Sequence, residues 1–236
     1  MELILQRELP HQQKAVDTIC AAFDGVPVIA PTQFYENPIV ALTDPQLAVN
    51  IRTIQESVPA EYRGGMPIAD CLNLDIKMET GTGKTYVYTK VIFELHKRYG
   101  INKFIIAVPS LAIKAGTAQF LQDEYARRHF TDGCGYGAEI EVGVLEAPKN
   151  KKKGRSYFPS VVSDFIKGSC QNTKKIYVML VNMQLFTNAK MLTRDDYDYG
   201  AEGFYRPLDA LRATRPFVII DEPHRFSRDQ KAFSVI

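Results

Sequence analysis

Leu74-Asp75-Ile76-Lys77-Met78-Glu79-Thr80-Gly81-Thr82-Gly83-Lys84-Thr85 runs from an alternating segment into a glycine-rich turn and ends on Gly-Lys-Thr. Leu72, Leu74, Ile76 and Met78 alternate with polar residues, which predicts a strand ahead of the turn. Behind it Val87, Val91, Leu95 and Tyr99 mark one face of a helix, and Gly100 ends it. Strand, glycine loop and helix start, in that order, make a cradle for a nucleoside triphosphate. Glycines free backbone amides to wrap phosphate oxygens, and the positive end of the helix faces them. Thr80, Gly81, Thr82 and Gly83 would form the cradle, with Lys84 as the catalytic cation on the β and γ phosphates and the Thr85 hydroxyl on magnesium. The common pattern has a glycine five places before Gly83, where this chain has Met78.

Working outward, Phe217-Val218-Ile219-Ile220-Asp221-Glu222-Pro223-His224 places four apolar residues before two adjacent carboxylates. A run that short, bounded by Pro216 and Pro223, predicts a strand buried on both faces. Asp221 then sits at the carboxyl end of a strand, where open α/β sheets hold their ligands. It could hold magnesium through water, and Glu222 could take the proton of an attacking water. A lone Asp-Glu pair is more often a solvated strand end; the phosphate loop upstream tips the reading toward one nucleotide site.

The rest of the chain supplies a parallel sheet. Phe104–Val108 and Ile176–Val181 are further apolar runs, and Ile140, Val142 and Val144 alternate as a short strand. Pro109 and Ser110 lead into a helix bearing Leu111, Ala115, Ala118, Leu121 and Tyr125. Strand, crossover helix, strand is the unit of a parallel sheet. A first helix is expected after Leu9-Pro10, with Ala15, Val16, Ile19, Ala22 and Phe23 near one side. A second opens at Asp44-Pro45, carries Leu47, Ile51, Ile54 and Val58, and stops at Pro59. Shorter helices are expected at Val161–Ile166 and around Leu208–Leu211. The fold expected is α/β: a mainly parallel sheet with helices on both faces, one domain over residues 1–236, with insertions at about 24–70 and 132–156.

With 45% hydrophobic and 24% charged residues the composition is that of an ordinary globular protein. No apolar run is long enough to span a bilayer, and the N-terminus lacks a signal peptide's layout, so a cytoplasmic protein without membrane contact is expected. Cys20, Cys71, Cys134 and Cys170 form no C-x-x-C pair and suit reduced thiols rather than a zinc site or disulfide framework. A net charge of +2 does not by itself announce a nucleic-acid binder.

Met-Glu-Thr-Gly-Thr-Gly-Lys-Thr after Leu-Asp-Ile-Lys, Val-Pro-Ser-Leu-Ala-Ile-Lys-Ala-Gly at 108–116, and Asp-Glu-Pro-His followed by Arg225-Phe226 resemble the first RecA-like motor domain of superfamily 2 helicases. More narrowly they resemble the restriction (Res) subunit of type III restriction-modification enzymes. The resemblance implies a RecA-like P-loop NTPase fold, ATP and Mg2+ as ligands, and double-stranded DNA as a partner. It further implies a methyltransferase (modification) subunit and a second RecA-like domain carrying an arginine finger. It implies that Gln12 reads the adenine edge, although His11 stands in place of that motif's tyrosine and Gln13 competes for the role; a solvated helix-start glutamine is the plain alternative. Ser110 and Lys114 would grip a nucleic-acid backbone, or be simply a helix cap and a surface lysine. His224 would couple nucleotide state to the other motor domain, or be a surface histidine. Pro223 stands where many relatives have alanine. The basic run from Lys149 to Arg155 reads more readily as a solvated loop than as a DNA contact.

On this reading the chain is an N-terminal fragment of a larger protein and, lacking the finger, is expected to bind ATP yet hydrolyse it very slowly. The competing readings are another superfamily 2 DNA translocase, a small-molecule kinase of the phosphate-loop class, and a non-catalytic interaction module of the same fold.

Overall fold

The computed structural model describes residues 5–63, 72–147, 157–188, 190–198 and 200–225. In chain order the elements are α1 (Pro10–Ala21), the two-residue strands β1 (Val28–Ile29) and β2 (Ile39–Val40), α2 (Pro45–Glu56), α3 (Lys84–Tyr99), β3 (Lys103–Val108), α4 (Leu111–Gln122) and α5 (Glu124–Arg128). They continue with β4 (Glu139–Val144), α6 (Ser160–Lys167), β5 (Lys175–Asn182), α7 (Met183–Asn188), α8 (Lys190–Thr193), α9 (Pro207–Ala213) and β6 (Phe217–Ile220). Four strands form one parallel sheet in the order β4-β5-β3-β6. Phe104 of β3 lies level with Val178 of β5 on one side and Phe217 of β6 on the other.

Because side chains alternate across a strand, the two faces of this sheet feed two separate cores. Phe104, Ile106 and Val108 turn toward α1, α2 and α3 with Ile176, Val178 and Leu180. Ile105, Ala107, Tyr177, Met179 and Val181 turn the other way, toward Val162, Phe165 and Ile166 of α6 and Leu208, Ala210 and Leu211 of α9. Helices therefore cover both faces. β3 and nearly all of β5 are buried, which is why their sequences are continuous apolar runs with no alternation.

Two expectations need correction. Of the strand expected at 72–78 ahead of the glycine turn, Leu72 forms an isolated bridge and residues 73–79 belong to no ladder. Leu72, Leu74 and Met78 do pack on the first core, while Ile76 is 41% exposed. Alternation chose which side chains face inward, but it does not record whether a neighbouring strand offers its amides and carbonyls. The stretch 132–156 is also not wholly an insertion, since β4 falls inside it and forms an edge strand of the main sheet. The stretch 24–70 holds the β1–β2 antiparallel pair and α2. α2 begins where the sequence indicated: the Asp44 side chain accepts from Gln46 N at 2.8 Å, and Pro45 follows as the first helical residue. The Lys149–Arg155 run lies outside the described residues.

Among the described residues no helix is long and apolar enough to cross a membrane. Described cysteines Cys20, Cys134 and Cys170 are free thiols.

Candidate nucleotide site

The loop between Met78 and α3 has the backbone a phosphate cradle requires. Gly81 and Gly83 take φ of +81° and +85°, the left-handed region open to glycine. Thr82 Oγ1 donates to Glu79 O at 2.7 Å and tightens the turn. Gly83 opens α3, whose first amides have no carbonyl partner within the helix and point out of its end. Lys84 Nζ folds back over the loop and donates to Met78 O at 3.2 Å and Glu79 O at 3.3 Å.

Gln12 meets this loop from α1. Its Nε2 donates to Thr82 O at 3.0 Å, with His11 Nε2 3.2 Å from the same oxygen. Gln12 is only 7% exposed, yet its Oε1 is buried with no hydrogen-bond partner. A buried acceptor left unmade costs about 1–3 kcal/mol, so its retention calls for a ligand. At Gly83 a methyl group would overlap Gln12 Nε2, so the glycine leaves room for the glutamine as well as adopting its own φ. Gln13 is committed elsewhere: its Oε1 accepts from Lys90 Nζ at 2.6 Å and its Nε2 donates to Asp17 at 2.7 Å.

The acid pair arrives on β6. Asp221 N donates to Ala107 O at 2.9 Å, which extends the β6–β3 ladder to the strand's carboxyl end. Burial and the neighbouring Glu222 carboxylate raise the Asp221 pKa, while the Lys84 ammonium pulls it down. The Lys84 ammonium is thus near enough to the Asp221 carboxylate to act on it electrostatically. Glu222 holds φ of +51°, a strained conformation for a non-glycine residue, and its Oε2 is ion-paired with Arg225 Nε at 2.6 Å. His224 lies in a single 3-10 turn, Pro223–Arg225.

Ser110 caps α4, its Oγ accepting from Ile113 N at 3.2 Å. Lys114 corrects the expectation of a surface cation: it is 7% exposed and its Nζ donates to Leu145 O at 3.2 Å. The ammonium is turned toward the carbonyl of Leu145, just past the end of β4. Sequence reasoning missed Tyr88. It is 8% exposed, and its hydroxyl sits 3.2 Å from Thr117 Oγ1 on α4. Its position three residues after Thr85 puts both on one helix face, and that spacing was the available signal.

Residues 7–236 match a family model described as the type III restriction enzyme, res subunit. The chain is 41% identical over 243 residues to the Res subunit of the type III restriction-modification enzyme EcoP15I of Escherichia coli, covering 98% of this chain and 24% of that protein. It is 39% identical to the EcoPI Res subunit of Escherichia phage P1, over 98% of this chain and 24% of the relative. It is 40% identical to the StyLTI Res subunit of Salmonella typhimurium, over 99% of this chain and 21% of the relative. The chain thus spans about a quarter of the length of the curated relatives it matches.

Proposed function

The chain belongs to the family of type III restriction enzyme res subunits, and from that premise we propose that Lys84 and Asp221 belong to one site that binds ATP with magnesium and hydrolyses it to drive movement on double-stranded DNA. It carries the helicase-like ATPase motor region of that family on a RecA-like P-loop fold. The observation that supports the reading is the left-handed glycine turn leading into α3, with Lys84 folded over it and Gln12 held against it.

The residues fit the ligand. Thr80, Gly81, Thr82 and Gly83 offer the cradle, and Lys84 neutralises phosphate charge in place of its present carbonyl contacts. Gln12 Oε1, the buried acceptor without a partner, suits the exocyclic amino group of adenine. Thr85 and Asp221 would hold magnesium, which when bound supplies charge neutralisation to the phosphates. Glu222 accepts the proton of the attacking water as the bond to the γ-phosphorus forms and the bond to the β-γ bridging oxygen breaks. Hydrolysis is slow in the isolated chain and faster when a second RecA-like domain contributes an arginine. In the longer protein Ser110 at the capped start of α4 meets the DNA backbone, and His224 passes nucleotide state to the second domain. A nuclease region makes the cut and a modification subunit reads the site, in the cytoplasm.

Calorimetric titration tests this directly. The chain should bind one ATP in the presence of magnesium, lose binding on Lys84→Ala, and lose about 5- to 10-fold in affinity on Gln12→Ala, the worth of one hydrogen bond. A wild-type chain that takes up no nucleotide with magnesium would overturn the reading.

A further inference from the structure

We propose that Arg225 is the positioning residue of Glu222: its guanidinium holds the carboxylate aside, and Glu222 acts as a base when a second RecA-like domain releases that hold. This rests on the nucleotide-site reading above. Arg225 Nε lies 2.6 Å from Glu222 Oε2. A stiff piece of backbone sets the two together. Pro223 has a fixed φ and no amide hydrogen, and Arg225 N closes the 3-10 turn by donating to Glu222 O at 3.1 Å. Side chains three apart in such a turn lie over one another, which puts guanidinium against carboxylate. Glu222 enters the turn at φ of +51°, a conformation its residue type rarely adopts, so the surrounding structure dictates where the carboxylate starts.

The hold turns the carboxylate and can still let go. Glu222 Oε2 is buried and no N–H is aligned on it, so the contact is an attraction of charges rather than a directed hydrogen bond. The Arg225 side chain is 55% exposed and can swing into water, whereas the Glu222 side chain is 18% exposed and has little room to follow. An ion pair with one exposed partner is worth a factor of about 5 at most. A base must present an oxygen to the attacking water, and Oε2 faces the guanidinium instead. Lys84 does not compete for that oxygen, since its ammonium donates to Met78 O and Glu79 O. The exposed guanidinium is the half of the pair that an incoming domain can reach.

The test is single-turnover ATP hydrolysis with magnesium by wild type, Arg225→Ala and Arg225→Lys, with and without a second RecA-like domain supplied. Arg225→Ala should raise the rate of the chain alone by about 2- to 5-fold, with ATP affinity changed by less than about 2-fold. Arg225→Lys, which keeps the charge, should stay nearer the wild-type rate. With the second domain present the gap between Arg225→Ala and wild type should close. Melting temperatures without nucleotide give a readout independent of catalysis: Arg225→Ala should cost less in the Glu222→Gln background than in wild type. An Arg225→Ala rate no higher than wild type, a gap that persists with the second domain, or melting losses that simply add overturns the proposal. A merely structural arginine would lower affinity and melting temperature without raising the rate, and that result overturns it too. A wild-type chain that takes up no ATP would instead remove the nucleotide site, and this inference with it.

Discussion

Replacing Gly83 by alanine probes two features of the site at once. At φ +85° an alanine pays left-handed strain of about 1–2 kcal/mol. Its methyl group would also overlap Gln12 Nε2. Gln12 is 93% buried by difference from its 7% exposure, so it cannot swing freely into water. Displacing it forfeits the bond to Thr82 O and leaves its buried amide poorly paired, about 1–3 kcal/mol more. Gly81 is the internal control: at φ +81° it pays the same strain, but nothing lies within 4 Å of its added methyl. In a chain this size 1 kcal/mol moves the melting temperature by about 2–4 °C. Gly81→Ala should therefore melt about 3–6 °C below wild type and Gly83→Ala a further several degrees lower. Scanning calorimetry of both variants, Gln12→Ala and the Gln12→Ala/Gly83→Ala double variant completes the cycle. With the glutamine gone, the cost of Gly83→Ala should fall to that of Gly81→Ala. If Gln12→Ala gives no such relief, the contact between glutamine and glycine is not what holds that position.

Asp221→Asn should raise the melting temperature at neutral pH, because burial and Glu222 already disfavour the charged carboxyl. The sign follows: a carboxyl whose folded pKa lies above its unfolded value costs stability once pH exceeds both, so the gain should vanish below about pH 4, and a gain that persists there contradicts the cause. Glu222→Gln should keep ATP binding and lose turnover when a second RecA-like domain is supplied; equal phosphate release would remove Glu222 as the base. Lys103 is fully buried, its ammonium donating to Phe165 O and Ile166 O under the rings of Phe165 and Tyr177. Burial pushes its pKa down to about 8. Between about pH 8 and 10.5 the unfolded chain keeps a proton that the folded chain has lost, so wild-type stability should rise relative to Lys103→Met by about 1.4 kcal/mol per pH unit. Parallel stability curves over that range would show that Lys103 stays charged.

The strands at 103–108 and 175–182 were legible because two-sided burial writes an apolar run into the chain, and 217–220 because an apolar run stands between Pro216 and Pro223, although its four residues are only half-buried. The glycine turn and the acid pair were legible because each residue type there has a chemical reason. The stretch 72–78 keeps only a bridge at Leu72 because alternation records which side chains face inward, not whether a neighbouring strand exists. Lys114 shows the same limit at the level of one side chain. Its helix and the Ser110 cap could be read locally, but the direction of its ammonium is set by Leu145 O, a carbonyl from another element. The Tyr88–Thr117 hydrogen bond stayed hidden because Thr117 belongs to a helix that only the fold brings alongside.

Convergence of the loop threonine and the strand-end acid on one ion is tested most directly by the magnesium concentration that half-saturates ATP binding. It should be measured for wild type, Thr85→Val, Asp221→Asn and the double variant. Groups that share one ion are coupled, so once Asp221 is neutralised the loss of the Thr85 hydroxyl should add little, and the double variant should need scarcely more magnesium than the worse single one. Fold-losses that simply multiply would place the two residues on separate sites.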